Sequence, residues 1–284
     1  MDWAVLCSDG NGWVKVAAEA VSDDIDTGAE PVRLDLRRAG RMVSRWLCDF
    51  LAPPHCLVCR AAIVESASLC SACWGLLRFI EEPCCPRLGI PFPYDPGFGQ
   101  TSAAALADPP PWMRSRSAVA YDEASKPIVH ALKYRDRHEA ATLMTRLMAR
   151  AGAQFLGECD LVIPVPLHPL RLWRRRFNQA AMIAQRLCAD RPEAFQPLIL
   201  KRARATRPQV GLDHEARRKN VRGAFIVAER DRIKVGGRRV LLVDDVMTTG
   251  ATASACTQAL QKAGARSVDI LTFALVLEPR RLHI

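Results

Sequence analysis

The stretch that decides the fold is Val240-Leu-Leu-Val-Asp-Asp-Val-Met-Thr-Thr-Gly-Ala-Thr252. Its apolar start predicts a buried strand, and its end leads into a helical pattern that stops at Gly264. Ligands of open parallel α/β sheets bind beyond the carboxyl ends of the strands, which is where Asp244 and Asp245 fall. The order of strand, two acids, loop and helix therefore predicts a ligand site at the edge of a sheet.

The loop in this stretch has the chemistry of a phosphate site. Backbone N–H groups and the dipole of the following helix attract anions, and threonine hydroxyls add donors. Two adjacent carboxylates can accept hydrogen bonds from the vicinal hydroxyls of a ribose, although Asp244 could also simply cap the loop. No Gly-Lys-Thr/Ser sequence follows, so the loop is not a Walker A motif. The predicted ligand is a ribose 5-phosphate, held by Asp244, Asp245, Thr248, Thr249, Gly250, Ala251 and Thr252.

Strands and helices are predicted to alternate through the second half of the chain, which favours an open, mainly parallel sheet flanked by helices. Predicted strands are 118–121, 161–165, 198–200, 224–227, 239–243 and 267–273, and predicted helices are 41–51, 127–134, 139–151, 178–188 and 253–263. We expect an acidic, weakly ordered extension (1–40), a helix with a metal module (41–95), a Pro/Gly-rich linker (96–117) and an α/β domain (118–284). No internal repeat is evident.

Four of the eleven cysteines have the spacing of a metal site. Cys56 and Cys59 form one CxxC pair, and Cys70 and Cys73 form another after ten intervening residues. Four thiolates close a tetrahedral shell around Zn2+ without an open position, so we expect a structural zinc. A redox CxxC or unused thiols are the alternatives, but the surrounding sequence lacks the βαβ pattern of a redox dithiol. Cys84 and Cys85 are left outside this shell, because Leu88 stands where a second CxxC partner would be.

The positive charge of the chain is concentrated in one segment. The whole chain has 40 Lys/Arg and 30 Asp/Glu, a formal charge of +10, and residues 160–222 hold fourteen of these bases against five acids. Such a segment indicates an acidic partner or substrate, although charge runs are usually solvated faces. The apolar stretches are too short to span a bilayer, and the N-terminus lacks the pattern of a secretory signal, so we expect a cytoplasmic protein.

The phosphate-loop motif resembles that of the type I phosphoribosyltransferases, and several other motifs narrow the resemblance. These motifs are His130-Ala-Leu-Lys-Tyr134, Val162-Ile-Pro-Val-Pro-Leu-His-Pro169, Phe177-Asn-Gln-Ala180, Gln209-Val-Gly-Leu212 and Arg217-Arg-Lys-Asn-Val-Arg-Gly-Ala-Phe225. By them the chain is identified as a member of the competence protein F (ComF) family, a resemblance that covers residues 41–277 and includes the cysteine module.

The resemblance implies a type I phosphoribosyltransferase fold and a site for phosphoribosyl pyrophosphate with Mg2+. Asp244 and Asp245 would hold the ribose hydroxyls, and Thr248 to Thr252 the 5-phosphate. The pyrophosphate loop would run from Pro166 through Leu167 and His168 to Arg171. Leaving-group charge would be collected by Arg171, Arg217, Arg218 and Lys219, residues 201–215 would close over the site, and Lys133 and Tyr134 would line the hood over the acceptor.

Two functions follow from the resemblance. The first is a phosphoribosyltransferase-like protein that displaces pyrophosphate at ribose C1 and has a role in natural competence. The second is a non-catalytic DNA-uptake accessory protein, in which the zinc module docks a competence-machinery protein or single-stranded DNA and the transferase fold serves as a scaffold or sensor. The acceptor is set by the shape of the hood, which is the least distinctive part of the sequence.

Overall fold

Four parallel strands form the central sheet of the computed structural model, in the order β1-β6-β5-β2. Their bounds are β1 Arg114–Ala120, β2 Leu161–Pro164, β5 Arg239–Met247 and β6 Ser267–Leu275. The structure describes residues 54–97, 99–134, 138–167, 172, 177–204, 221 and 223–277, all of them in the unit Cys48–Ile284. The predicted extension 1–40 and the predicted helix 41–51 lie outside the described residues.

Apolar side chains cover both faces of the sheet, as the apolar run 240–243 of β5 and the mostly apolar sequence of β6 require. Leu241 and Val243 of β5 face one hydrophobic cluster, whereas Val240 and Leu242 face the other. Helices complete the two outer layers. The described α-helices of this domain are α3 Lys126–Tyr134, α4 His138–Ala151, α5 Ala153–Glu158, α6 Gln179–Leu187, α7 Arg232–Val235 and α8 Ala251–Lys262.

Local sequence signals set the ends of these helices. The Asn178 side chain accepts a hydrogen bond from the N–H of Ala180 and so caps α6 as predicted. Gly264, with φ +93°, follows α8 in a left-handed conformation that favours glycine. The helical pattern predicts a buried side at Ala181, Ala184, Leu187 and Cys188. Ala184 and Cys188 are buried, together with Ala180 and Ile183, whereas Ala181 and Leu187 are half-buried.

Two predicted strands do not join the central sheet. Strands β3 Leu200–Arg202 and β4 Phe225–Val227 pair antiparallel as a separate two-stranded sheet. The prediction of one mainly parallel sheet is correct for the other four strands. These two strands are short and alternate in exposure, and strand length and apolarity alone do not report which partner a strand takes.

The cysteine module is fused to the edge of the central sheet. Its short helix α1 spans Ser71–Gly75, and the chain after it bonds to β1, with Ile80 N donating to Ala118 O and Ala120 N donating to Arg78 O. Arg146 of α4 also reaches the module, where it pairs with Glu65 at 2.6 Å. These contacts make the module and the α/β domain share one hydrophobic cluster.

Residues 96–117, predicted as a linker, contain regular structure. They include helix α2 Ala103–Ala107, which Ser102 caps, and the first four residues of β1, which begins at Arg114 and not at Ala118. The first residues of β1 are polar, which is why the strand was predicted to begin later. In the structure these polar groups are paired, since Arg114 donates to Asp269 and the Ser117 hydroxyl bonds to that of Thr272.

None of the helices in the described residues has the length and apolar character needed to cross a membrane.

Candidate functional site

The two acids lie at the carboxyl end of β5, next to the end of β2. Pro164 of β2 pairs with Val243, so the chain that leaves β2 runs beside Asp244 and Asp245. The Asp244 carboxylate accepts a hydrogen bond from the Asp245 N–H at 2.9 Å, and the Asp245 carboxylate accepts from the Val246 N–H at 2.8 Å. Both residues retain some exposure at the sheet edge, where an open parallel sheet binds ligands.

The loop that follows β5 leads directly into the N-terminus of α8. Gly250 stands at the N-cap with φ +75°, and no side chain caps the helix at this residue. The first N–H groups of a helix have no intrahelical partner and attract anions. Thr248, Thr249 and Thr252 are half-buried around this turn, while Ala251 is buried. The residues predicted to bind phosphate thus form one turn at the N-terminus of α8, a helix of twelve residues.

Trp112 lies directly behind this turn. A Cβ atom at Gly250 would lie 2.8 Å from Cη2 of the Trp112 ring, a distance shorter than any normal contact. The Trp112 side chain is buried, and its Nε1–H donates to the Arg87 carbonyl at 2.7 Å. Only glycine fits at position 250, for both its positive φ and the tryptophan behind it.

Lys133 reaches the acidic pair from α3. Its Nζ lies 2.6 Å from Oδ2 of Asp245, and both side chains are more than four-fifths buried. The family resemblance placed Lys133 in the hood over the acceptor, and in the structure it pairs with Asp245. The spacing of His130-Ala-Leu-Lys-Tyr134 shows a helix but not the partner of its lysine, so this contact was missed.

The environment of Asp244 opposes its ionisation. Burial and the neighbouring negative charge of Asp245 raise the pKa of Asp244 to about 8, although the Asp245 N–H and the charge of Lys133 act in the opposite direction. Burial, together with the negative charge of Asp244, raises the pKa of the Cys256 thiol in α8 well above its usual range. Burial and the like-charged neighbour therefore favour the neutral form of Asp244.

One side chain links the residue that precedes the predicted pyrophosphate loop to the start of α6. Asn178 Nδ2 donates to the Val165 carbonyl at 3.1 Å, while its Oδ1 caps α6. Pro166 is buried and Leu167 is half-buried, directly after β2. The Phe-Asn-Gln motif had suggested only the cap, so the bond to Val165 was missed. His168, Arg171, Arg217, Arg218, Lys219 and most of the closing loop 201–215 lie outside the described residues, as does the side chain of Tyr134.

The four predicted metal ligands come together as one cluster. The sulfur atoms of Cys56, Cys59, Cys70 and Cys73 all lie within 4.8 Å of one another. Four sulfurs at Zn–S bonds of about 2.3 Å fit within that spacing, and an all-thiolate set suits Zn2+. No fifth donor is needed, which is typical of a structural site. The prediction of four cysteine ligands in a zinc-ribbon-like module is confirmed.

Backbone groups favour the thiolate form in this cluster. Burial raises the pKa of Cys56, but hydrogen bonds from the backbone at Cys70, Cys59 and Val58 outweigh it and bring the value to about 6. Burial and the neighbouring thiols raise the pKa of Cys73 to about 12. A divalent ion among the four sulfurs would favour the thiolate form of all four cysteines, because a metal ion binds deprotonated thiols and offsets the repulsion between neighbouring thiolates.

Comparisons with known proteins match both halves of the chain. Residues 47–105 match the model of the double zinc ribbon domain, and residues 181–283 match the model of the phosphoribosyl transferase domain. DNA utilization protein YhgH of Escherichia coli K12 is 32% identical over 227 residues, which are 77% of this chain and 95% of the relative. The Salmonella typhimurium protein of that name is 33% identical over 225 residues, with the same shares. Competence protein F of Haemophilus influenzae is 30% identical over 224 residues, 76% of this chain and 94% of the relative.

Proposed function

Because the chain belongs to the family of DNA utilization protein YhgH and competence protein F, with a zinc ribbon joined to a phosphoribosyltransferase domain, we propose that it binds phosphoribosyl pyrophosphate with Mg2+. It acts as a phosphoribosyltransferase-like protein, with a role in DNA uptake. The observation that carries the proposal is the pair Asp244 and Asp245 at the end of β5, followed by a threonine-rich turn at the N-terminus of α8.

The substrate fits these groups by charge. The 5-phosphate meets the N–H groups of the turn from Thr248 to Thr252, and the ribose hydroxyls donate to the two carboxylates. The Lys133 ammonium, at 2.6 Å from Asp245, partly neutralises the acidic pair, which lowers the repulsion between these acids and an anionic substrate. Pro166 and Leu167 would begin the pyrophosphate loop. The family resemblance assigns the continuation of this loop to His168, and the positive charge for the leaving group to Arg171, Arg218 and Lys219, all outside the described residues.

The donor set also suits Mg2+. The carboxylate oxygens of Asp244 and Asp245 are hard ligands, and Mg2+ is usually held by one or two carboxylates together with substrate phosphates. When bound, the ion neutralises charge on the pyrophosphate as the bond from its oxygen to ribose C1 breaks. The two carboxylates would stabilise the positive charge that develops on the sugar.

Calorimetric titration of phosphoribosyl pyrophosphate in the presence of Mg2+ tests this proposal. Asp244→Asn combined with Asp245→Asn should reduce the affinity by 100-fold or more, because two charge-assisted acceptors are lost at about 1.5–3 kcal/mol each. The control is Asp190→Asn combined with Glu193→Gln, which removes two carboxylates from exposed positions outside the site. Equal affinity in both double variants would overturn the proposal.

A DNA-binding accessory role is the second candidate, and the distribution of exposed bases favours it. Arg238, Lys262 and Arg266 are exposed near the amino ends of β5 and β6, at the opposite edge of the sheet from Asp244, so an anion at the ribose site does not account for them. Arg238 and Arg266 are adjacent, since Arg266 N donates to Arg238 O. Arg202, in contrast, is buried against the Phe225 ring and does not belong to this surface.

Single-stranded DNA binding at several salt concentrations tests this second role. Arg238→Glu combined with Arg266→Glu should lower the affinity for an oligonucleotide at least tenfold and reduce the salt dependence, because fewer phosphate contacts release fewer counterions. The paired acid variants at Asp244 and Asp245 serve as the control and should bind the oligonucleotide as the unaltered chain does. Absence of binding at low salt would contradict this role.

A further inference from the structure

The segment after the zinc cluster repeats the backbone hydrogen bonds of the first CxxC turn. The offset is constant at 29 positions, from Cys56 to Cys85. Three backbone bonds of the first turn have a counterpart in the second. Cys56 N donates to Ala61 O as Cys85 N does to Ile90 O, both at 2.8 Å. Arg60 N donates to Cys56 O (3.2 Å) as Gly89 N does to Cys85 O (2.8 Å), and Ile63 N donates to Pro54 O (2.9 Å) as Phe92 N does to Pro83 O (3.0 Å).

The conformation of the two turns is the same as well. Arg60 has φ +69° and Gly89 has φ +67°, so the left-handed residue falls at the same position of each turn. An isolated antiparallel bridge closes each turn, between His55 and Ala62 in the first and between Cys84 and Pro91 in the second. Residues 83–92 are therefore a structural copy of residues 54–63.

The second half of the zinc ribbon is also duplicated. Helix α1 follows Cys70, whose sulfur accepts from the Cys73 N–H at 3.5 Å. Helix α2, likewise five residues long, follows Ser102, whose hydroxyl accepts from the Ala105 N–H at 3.4 Å. The two N-cap residues have similar dihedral angles, φ −68°, ψ 161° for Cys70 and φ −63°, ψ 149° for Ser102.

The copy differs from the first ribbon at three of its four ligand positions. The duplicated geometry places Cys85 at the position of Cys56, but Leu88, Ser102 and Ala105 at the positions of Cys59, Cys70 and Cys73. The Cys85 sulfur accepts hydrogen bonds from Ser102, at 3.2 Å from the hydroxyl and 3.4 Å from the N–H. In the first ribbon the corresponding residues, Cys56 and Cys70, both belong to the four-sulfur cluster, whose sulfurs lie within 4.8 Å of one another.

We propose that residues 83–108 are a second zinc ribbon that folds without a metal ion. One thiol, a hydroxyl and two aliphatic side chains do not form a Zn2+ site. The hydrogen bonds between Cys85 and Ser102 and the burial of Cys85 and Ala105 replace the metal. The match of residues 47–105 to the double zinc ribbon model includes this segment, but cysteine spacing does not reveal the repeat, because the second pair of CxxC motifs is the part that has changed.

The metal-free ribbon supports the phosphate-binding turn. The Arg87 carbonyl, at the tip of its first turn, accepts from Trp112 Nε1 at 2.7 Å and from Ser115 Oγ at 2.9 Å. Trp112 in turn lies against Gly250. Ile90 and Trp112 belong to the same hydrophobic cluster as Met247 and Ala251. Because this lobe has no metal site of its own, its contacts with the turn do not include a bound Zn2+.

Zinc analysis of matched cysteine variants of the full chain tests the proposal. The unaltered chain should hold about one Zn2+, and Cys56→Ser should lose it. Cys85→Ser changes the equivalent position of the copy and should retain the full zinc content. Two Zn2+ per unaltered chain, or loss of zinc in Cys85→Ser, would overturn the proposal.

Restoring the ligands provides the converse test. Leu88→Cys, Ser102→Cys and Ala105→Cys together complete a four-cysteine set with Cys85, and this variant should hold about two Zn2+ per chain. Its cobalt form should show twice the thiolate-to-cobalt absorption of the unaltered chain, and adding Cys85→Ser should return it to the original level. A folded triple variant with a single Zn2+ would overturn the proposed duplication. If the triple variant does not fold, the zinc analysis of the unaltered chain and of Cys85→Ser still decides whether the natural chain holds one Zn2+ or two.

Discussion

At the scale of single residues, the protonation of Asp244 should control binding at the candidate site. Burial and the charge of Asp245 raise its pKa to about 8, so the neutral form predominates at pH 7. A neutral carboxyl is a weaker acceptor for ribose hydroxyls and a weaker Mg2+ ligand than a carboxylate. The dissociation constant for phosphoribosyl pyrophosphate with Mg2+ should therefore fall between pH 6 and 8, by up to about tenfold per pH unit, and level off above 8.

Calorimetry at several pH values measures this dependence, and buffers of different ionisation enthalpy report the proton released on binding. Asp244→Asn removes the titrating group and should leave only the weaker pH dependence of the ligand phosphates. Asp190→Asn, at an exposed position, should keep the profile of the unaltered chain. A profile identical in the unaltered chain and in Asp244→Asn would contradict the prediction.

Gly250 is the second residue whose replacement should have a specific effect. Gly250→Ala forces a side chain into a position with φ +75° and places its Cβ 2.8 Å from Trp112, which should cost about 1–3 kcal/mol of unfolding free energy. Gly157→Ala, where no atom lies within 4 Å of the added Cβ, is the control and should not destabilise the chain. Denaturant unfolding measures both.

Combining Gly250→Ala with Trp112→Leu shows whether the tryptophan carries this cost. The double variant should be more stable than the sum of the two single effects, because the smaller side chain makes room for the added methyl group. Strict additivity of the two changes would show that only the backbone conformation matters at Gly250.

At the scale of elements, the sequence predicts most where local and tertiary preferences agree. The apolar run of β5, the Asn178 cap and the stop at Gly264 are visible in the sequence and are confirmed. The sequence does not predict which strands pair with each other. Strands β3 and β4, for example, form their own antiparallel sheet. Contacts between distant segments, such as Lys133 with Asp245, have no local pattern at all.

Asn178 joins two elements, and its two bonds can be separated by substitution. Asn178→Ala removes the α6 cap and the bond from Nδ2 to Val165 O, and it should lower the unfolding free energy by about 1–2 kcal/mol. Asn178→Asp keeps an oxygen for the cap but loses the donor to Val165. We therefore expect the aspartate variant to remain close to the unaltered chain in stability, and to bind pyrophosphate several-fold more weakly, as titration calorimetry would show. Unchanged pyrophosphate affinity in Asn178→Asp would contradict a role for this bond in holding the loop.

At the scale of the whole molecule, the zinc ribbon and the α/β domain depend on a common core. Leu57, Leu69 and Leu77 of the ribbon belong to the same hydrophobic cluster as Val119 of β1 and Met144 of α4. Hydrogen bonds from the ribbon segment to β1 extend the edge of the sheet. Disorder in the ribbon should therefore reach the α/β domain, and the two should unfold together.

Zinc removal tests this coupling. Cys59→Ser removes one of the four ligands, and loss of the metal removes the link among the remaining three sulfurs. This variant should therefore lower the unfolding free energy by about 3 kcal/mol. For a chain of this size, that corresponds to a fall in Tm of about 6–12 °C. Cys188→Ala, a buried cysteine outside the ribbon, should retain the zinc. Calorimetric melting should show one transition that moves to lower temperature in Cys59→Ser or after chelation. A transition of the α/β domain that stays at its original temperature while a separate ribbon transition disappears would show that the two parts are independent, and it would contradict the common core.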